Sequence, residues 1–334
     1  MVTETGQARR PTSFDVAKKA GVSRATVSHI LNGQGSRFPE ETRNRVLNAA
    51  SELKYQPSPA GRALVTGRSD VIVVVMPNTT FGSNLQDLVD EVTRLAGLHG
   101  LSVVVRFAGR DPAETLAAVM NFRPVAVVNF GGLSRDDQTT LAASGAATIP
   151  SAARDEDASG KDPNFLIGQR MAEELLRDGP RPLVFAALLD ERTDPFGPAR
   201  YAGLKAVTDA RGLPQPARIE VPLDIVGATL AVDTVSVEGA SIGVACYNDH
   251  VAIAVLAAGR TLGLATPEDL AVIGVDATEV GQLVSPRLTT IALDNSVLMR
   301  KIAADLEAVT KHKAPIQTQD AGREFLTVIQ GETS

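Results

Sequence analysis

Apolar positions follow two regimes along the 334 residues: helical spacing up to about residue 55, then apolar runs of strand length. In the first regime, residues 13–20 place Val16, Ala17 and Ala20 on one face, with Thr12 or Ser13 available as N-cap. Gly21 supplies a tight turn, and Ser23 suits the N-cap of a second helix, Arg24 to Leu31, that turns Val27, Ile30 and Leu31 inward. Asn32-Gly33 tolerates the left-handed backbone that ends a helix. A third helix starts at Pro39 and runs to about Leu53, with Val46, Leu47, Ala50 and Leu53 recurring at helical spacing. Tyr55-Gln56-Pro57-Ser58-Pro59 then breaks the pattern, and residues 60–65 have room for one or two helical turns at most.

The second regime opens with Val71–Val75, a continuous apolar run of the kind found in strands covered on both faces. Similar runs recur at Leu101–Val105, Val125–Val128, Leu183–Leu188, Ile242–Ala245 and Leu270–Val275. Helical patterns lie among them at Leu85–Leu98, Asp111–Met120, Leu166–Arg177, Ala199–Arg211 and His250–Leu262. Strand and helix in alternation predict an α/β fold with parallel sheets and helices on both faces. The length exceeds what one such sheet needs, so two lobes are expected. The resulting division is a head over 1–57, a linker over 58–68 and a two-lobed body over 69–334.

Charge sharpens this division. The net charge of −6 conceals a head and linker (1–68) at +6 and a body at −12. A basic end on an acidic body suits contact with a polyanion at one end only. The single cysteine, Cys246, rules out an internal disulfide and a cysteine-cluster metal site. No apolar run reaches membrane-spanning length, and the polar start, with Arg9 and Arg10, lacks a secretory signal's apolar core. A cytoplasmic protein is expected.

The segment from Asp15 to Asn32 carries the chemistry: a helix, a glycine-bearing turn, and a second helix that opens with polar residues. Such a helix-turn-helix lays its second helix in the DNA major groove, N-terminal side chains at the base edges. Arg24, Ala25, Ser28 and His29 point outward. Arg24 can donate two hydrogen bonds to guanine, His29 can donate or accept at a base edge, and Ala25 can touch a thymine methyl. Thr12, Thr26, Ser28 and Asn32 suit phosphate contacts, which position without specifying. Ser23 caps the reading helix and belongs to the same surface.

This stretch, with Thr42-Arg43 and Tyr55-Gln56-Pro57-Ser58, resembles the head of the lactose-repressor (LacI/GalR) family of bacterial regulators. The resemblance continues through Arg200–Leu204, Tyr247–Ala252, Thr266–Asp276 and Ser285–Ile291. It implies a sequence-specific transcription regulator, expected to repress, bound as a homodimer to a pseudo-palindromic operator. It also implies a periplasmic-binding-protein-like body controlled by a small-molecule effector, a sugar or nucleobase-like compound. The linker becomes a hinge helix: Leu64 would wedge into the central base step from the minor groove, with Arg62 beside it. Arg200, Asn248 and Asp276 would line the effector cleft, together with Phe81 or Asn84. No cofactor, metal or catalytic residue is implied.

Three departures from the family pattern leave the effector open. Residues 149–156 lack the usual apolar strand and aspartate, residues 178–182 replace a histidine-bearing turn, and residues 76–81 keep a single aromatic. An unusual ligand and a site that no longer binds one both remain in play. An enzyme is the rival reading for an α/β chain. However, Gly33-Gln34-Gly35 follows a helix rather than a strand, and the histidines at 29, 99, 250 and 312 are scattered. The other rival, a free solute-binding protein, does not account for the DNA-reading head.

Overall fold

The computed structural model describes residues 11–31, 35–55, 69–78, 83–149, 162–189, 194–236, 240–311 and 326–334. They form two compact units that divide between Asp70 and Val71. The expected linker over 58–68 lies outside the described residues.

The first unit is the three-helix head: α1 (Ser13–Ala20), α2 (Arg24–His29) and α3 (Glu40–Glu52). Thr12 caps α1 through a reciprocal capping box with Asp15, and Gly21 closes the helix at φ 65°, the left-handed region where a glycine costs least. Ser23 caps α2 by accepting from the Thr26 amide at 3.0 Å. Regular α geometry stops at His29, two residues before the expected end, and a wider turn carries Ile30 and Leu31. Pro39 sits one place outside α3 as its N-cap. Val16, Ala17, Ala20, Val27, Ile30, Val46, Ala49 and Ala50 form the core. Leu47 does not join them; it is 45% exposed. At about 100° per residue, Val46, Ala49, Ala50 and Leu53 share one arc, and Leu47 falls outside it.

The second unit contains the two expected sheets. The first has strand order β2-β1-β3-β4, all parallel, from β1 (Val71–Met76), β2 (Ser102–Phe107), β3 (Ala126–Asn129) and β4 (Ala147–Ile149). Ile72, Val74 and Met76 pack on one face with α4 (Ser83–Leu98), and Val73 and Val75 on the other with α5 (Pro112–Asn121) and α6 (Arg135–Ala143). The period-two split is that of a doubly covered strand. β2 departs from the expectation of full burial. It forms the sheet edge, and Val105 and Phe107 are exposed.

The second sheet has order β10-β9-β8-β7-β5-β6, from β5 (Leu183–Leu188), β6 (Ala217–Val221), β7 (Ile242–Cys246), β8 (Leu270–Val275), β9 (Thr289–Leu293) and β10 (Leu326–Ile329). Only β10 runs antiparallel to its neighbour. One face carries α7 (Pro163–Leu175) and α8 (Gly197–Ala210), the other α9 (Ile225–Asp233), α10 (Asp249–Leu262) and the short α11 (Glu279–Leu283). The chain returns to the first lobe for α12 (Ser296–Thr310), whose Ile302 and Leu306 complete that core, and then adds β10 to the second. The lobes are therefore interleaved in sequence. Within the described residues, no helix is long and apolar enough to cross a membrane.

Candidate DNA-reading surface and effector cleft

In the head, Val27 buries α2 against α1 and α3 while Arg24, Ala25 and His29 stay exposed and Thr26 and Ser28 half-exposed. Five of the residues expected to meet DNA thus share one short helix whose opposite side is fixed by packing. The Thr26 hydroxyl lies 2.9 Å from that of Ser23. The Thr12 hydroxyl donates to Asp15 at 2.7 Å, so it would approach a phosphate only as part of its capping box. The His29 ring stands 6.2 Å from that of Phe38. Phe14, exposed in the first turn of α1, was given no role by the sequence. Asn32, Arg62 and Leu64 lie outside the described residues.

In the body, three expected cleft residues gather at the carboxyl ends of neighbouring strands, where open parallel sheets place ligands. Asn248 follows β7, Asp276 follows β8, and Arg200 sits in the first turn of α8, after β5. Arg200 is only 6% exposed. Its Nε donates to Asn164 Oδ1 at 3.1 Å, and its Nη1 donates to the Tyr247 carbonyl. The guanidinium carbon lies 5.3 Å from the Tyr247 ring centre and 5.5 Å from that of Phe196. Burial pulls its pKa below the usual arginine range, and the Asp276 carboxylate works against that pull. Asn248, also buried, caps α10 by accepting from the Val251 amide at 3.1 Å. Asn84 belongs to α4, and Phe81 lies outside the described residues.

Asp276 is held in an uncommon conformation, at φ 106°, with Ala277 following at φ 51°. The clamp on this turn is Asp249, which the sequence did not single out. It is fully buried and accepts from the Thr278 amide at 2.7 Å, the Thr278 hydroxyl at 2.9 Å and the Thr290 hydroxyl at 2.6 Å. Gly274 makes room for it, since a Cβ there would come within 2.2 Å of its Oδ1. Burial raises the Asp249 pKa to about 6, although the three donors pull the other way.

A folded-state pKa above the unfolded value means stability that is complete at acid pH and lost as pH rises through about 6. Asp249→Asn removes that titration. Relative to wild type, the variant should gain stability between pH 4.5 and 7.5, by on the order of 2 kcal/mol. Urea unfolding across this range measures the difference, and a constant offset would contradict it.

The comparisons with known proteins bear on both sites. Residues 14–58 match the pattern of the bacterial regulatory proteins of the lacI family, and residues 172–333 match the periplasmic binding protein-like domain. A curated relative, the HTH-type transcriptional regulator GntR of Pseudomonas aeruginosa, is 30% identical over 321 residues, covering 91% of this chain and 90% of the relative. The chain belongs to the LacI family. It is a DNA-binding transcription regulator with an effector-binding domain. The LacI-family fold extends to solved structures. The lac repressor dimer bound to operator and an anti-inducer has a TM-score of 0.74 at 21% identity, covering 97% of this chain and 99% of that one. A complex of the transcriptional regulator CelR with cellobiose has a TM-score of 0.59 at 20% identity, covering 97% and 100%. Within this LacI-family chain, no cluster of three or more metal-ligating side chains occurs among the described residues.

Proposed function

We propose that the chain acts as a cytoplasmic homodimeric repressor, reading a pseudo-palindromic operator with Arg24, Ala25, Ser28 and His29. Thr12, Ser23, Thr26 and Asn32 secure the backbone, and Arg62 and Leu64 engage the minor groove between the heads. The carrying observation is α2 itself, capped at Ser23, anchored by Val27 and exposed along Arg24, Ala25 and His29. Effector binding at Arg200, Asn248 and Asp276, with Phe81 or Asn84 from the other lobe, shifts the lobe arrangement and hence DNA affinity. The work of the cleft is binding rather than catalysis. The sugar named for one solved relative supports a polyhydroxylated effector here, and the operator named for another supports the DNA-reading head.

Dimerisation is supported by the second lobe. α9 is apolar on nearly every side, yet only Ala228 and Val232 are buried, while Val226 and Leu230 are 68% and 64% exposed. α9 and α11 each pack on α10, and Val280 and Leu283 of α11 are exposed as well, at 58% and 83%. The exposed side chains sum to on the order of 600 Å², comparable to one partner's share of a stable interface. Leu230→Asp places a carboxylate in this patch. Self-association measured by sedimentation should weaken about tenfold or more, and operator affinity should fall with it. Unchanged association and affinity would remove α9 from the interface.

A second reading has its own support. Arg200 already spends Nε and Nη1 inside its lobe, and Asn248 spends its carbonyl on a helix cap. A regulator with a self-satisfied cleft needs no ligand. Thermal shift against a panel of sugars and nucleosides separates the two: stabilisation by one compound favours the sensor, and silence across the panel favours the closed site.

A further inference from the structure

Phe14 is the largest apolar side chain left exposed in the described part of the head, at 57%. Phe38, Tyr55, Leu31 and Leu53 all pack on the core. The place of Phe14 on α1 gives it a direction. At about 100° per residue, Val16, Ala17 and Ala20 form the buried arc, with Phe14 and Lys18 beside Ala17 and Lys19 beside Val16. Lys19 Nζ reaches Glu52 of α3 at 2.5 Å, so that flank faces α3. On the other flank the chain turns toward α2, and the Ala17 carbonyl accepts from the Val22 amide at 3.1 Å. The exposed stripe of Phe14 and Lys18 therefore borders α2. Its backbone is fixed, since the Thr12–Asp15 capping box holds the turn that carries Phe14.

We propose that Phe14 is a specificity-determining residue that packs against a thymine methyl, at a base position flanking those read by α2. The proposal rests on α2 being the reading helix. In a helix-turn-helix the first helix crosses the DNA backbone beside the groove that the second enters, which brings the first turn of α1 to the edge of the footprint. A phenyl ring offers no hydrogen-bond donor, so it cannot satisfy the polar edges of bases or the phosphates. The apolar group that a base pair shows in the major groove is the thymine C5-methyl. The ring is left to an outside partner, and a head and linker at +6 select a polyanion. Lys18, one turn on, supplies charge for the adjacent phosphate.

The test uses the full-length protein and the duplex it enriches most from a random DNA pool, with each thymine in turn replaced by deoxyuridine in both half-sites. Wild type should lose affinity at one flanking position by about fourfold per half-site, the worth of one buried methyl, hence by about fifteenfold on a symmetric site. Phe14→Ala should bind the parent duplex at least that much more weakly, with no further loss when the same methyl is removed. Phe14→Leu keeps an apolar contact and should stay sensitive to that methyl at a reduced level. Lys18→Gln should weaken all duplexes alike. Equal sensitivity to every deoxyuridine in wild type and Phe14→Ala, or a Phe14→Ala loss that no methyl accounts for, would overturn the proposal. Arg24→Ala separates it from the reading it rests on. A loss in Arg24→Ala with none in Phe14→Ala strikes the Phe14 contact alone, whereas no effect of either, or a pool that enriches nothing, strikes both.

Discussion

Arg24→Ala should weaken operator binding by about 1–3 kcal/mol for each copy of the head, hence by roughly 2–6 kcal/mol for a dimer on a symmetric site. It should also relax base preference at one position in each half-site. The first residue of α2 is where a recognition helix enters the groove, and Arg24 is exposed there, directly after the Ser23 cap that holds the Thr26 amide. A phosphate-contacting residue behaves differently. Its loss weakens all sequences alike and lowers the salt dependence by about one counterion. Competition titrations against single-base operator variants make the distinction. A uniform loss would place Arg24 on the backbone, and no loss would remove it from the interface.

Gly203→Val should destabilise the body by about 3 kcal/mol or more, the upper range for overpacking. α7 and α8 cross at van der Waals contact of their backbones. A Cβ on Gly203 would lie 2.0 Å from the Phe165 carbonyl oxygen, and one on Gly168 would lie 1.9 Å from that of Arg200. The obstructing atoms are main chain, so no rotamer change relieves the clash and the helices must separate. Separation also draws Arg200 from Asn164, a partner on α7. Ligand-free urea unfolding of the full-length protein should show the loss. A change within about 0.5 kcal/mol would mean that the crossing yields cheaply.

The head was legible because each of its signals is local. Thr12, Gly21 and Ser23 act within four residues of themselves, and helical spacing picks out Val16, Val27 and Val46. The body's central strands were legible as apolar runs. Its margins were not. β4 has three residues, β6 buries only alternate positions, and β9 opens with two buried threonines whose partners are 41 and 44 residues away in sequence. α9 escaped notice because it lacks the polar stripe that marks a surface helix, consistent with a covered face. The return of α12 to the first lobe leaves no trace in local pattern.

The cleft followed the same division. Arg200, Asn248 and Asp276 came from the family resemblance, and they converge because their strands are adjacent and parallel. Asp249 and Asn164 were passed over because their roles exist only in three dimensions. Asp249 reaches Thr278 and Thr290, and Asn164 reaches Arg200. Asp249 was the one most open to discovery. A carboxylate one residue after a helix cap and beside a buried strand end has to find partners.

Selection of bound duplexes from a random DNA pool by the full-length protein tests the DNA-reading surface most directly. A twofold-symmetric consensus should emerge, its half-sites one helical turn apart, with one base position in each that loses its preference in Arg24→Ala. Failure to enrich any sequence, or enrichment of a single asymmetric site occupied by one chain, would contradict a dimer that reads its operator through α2.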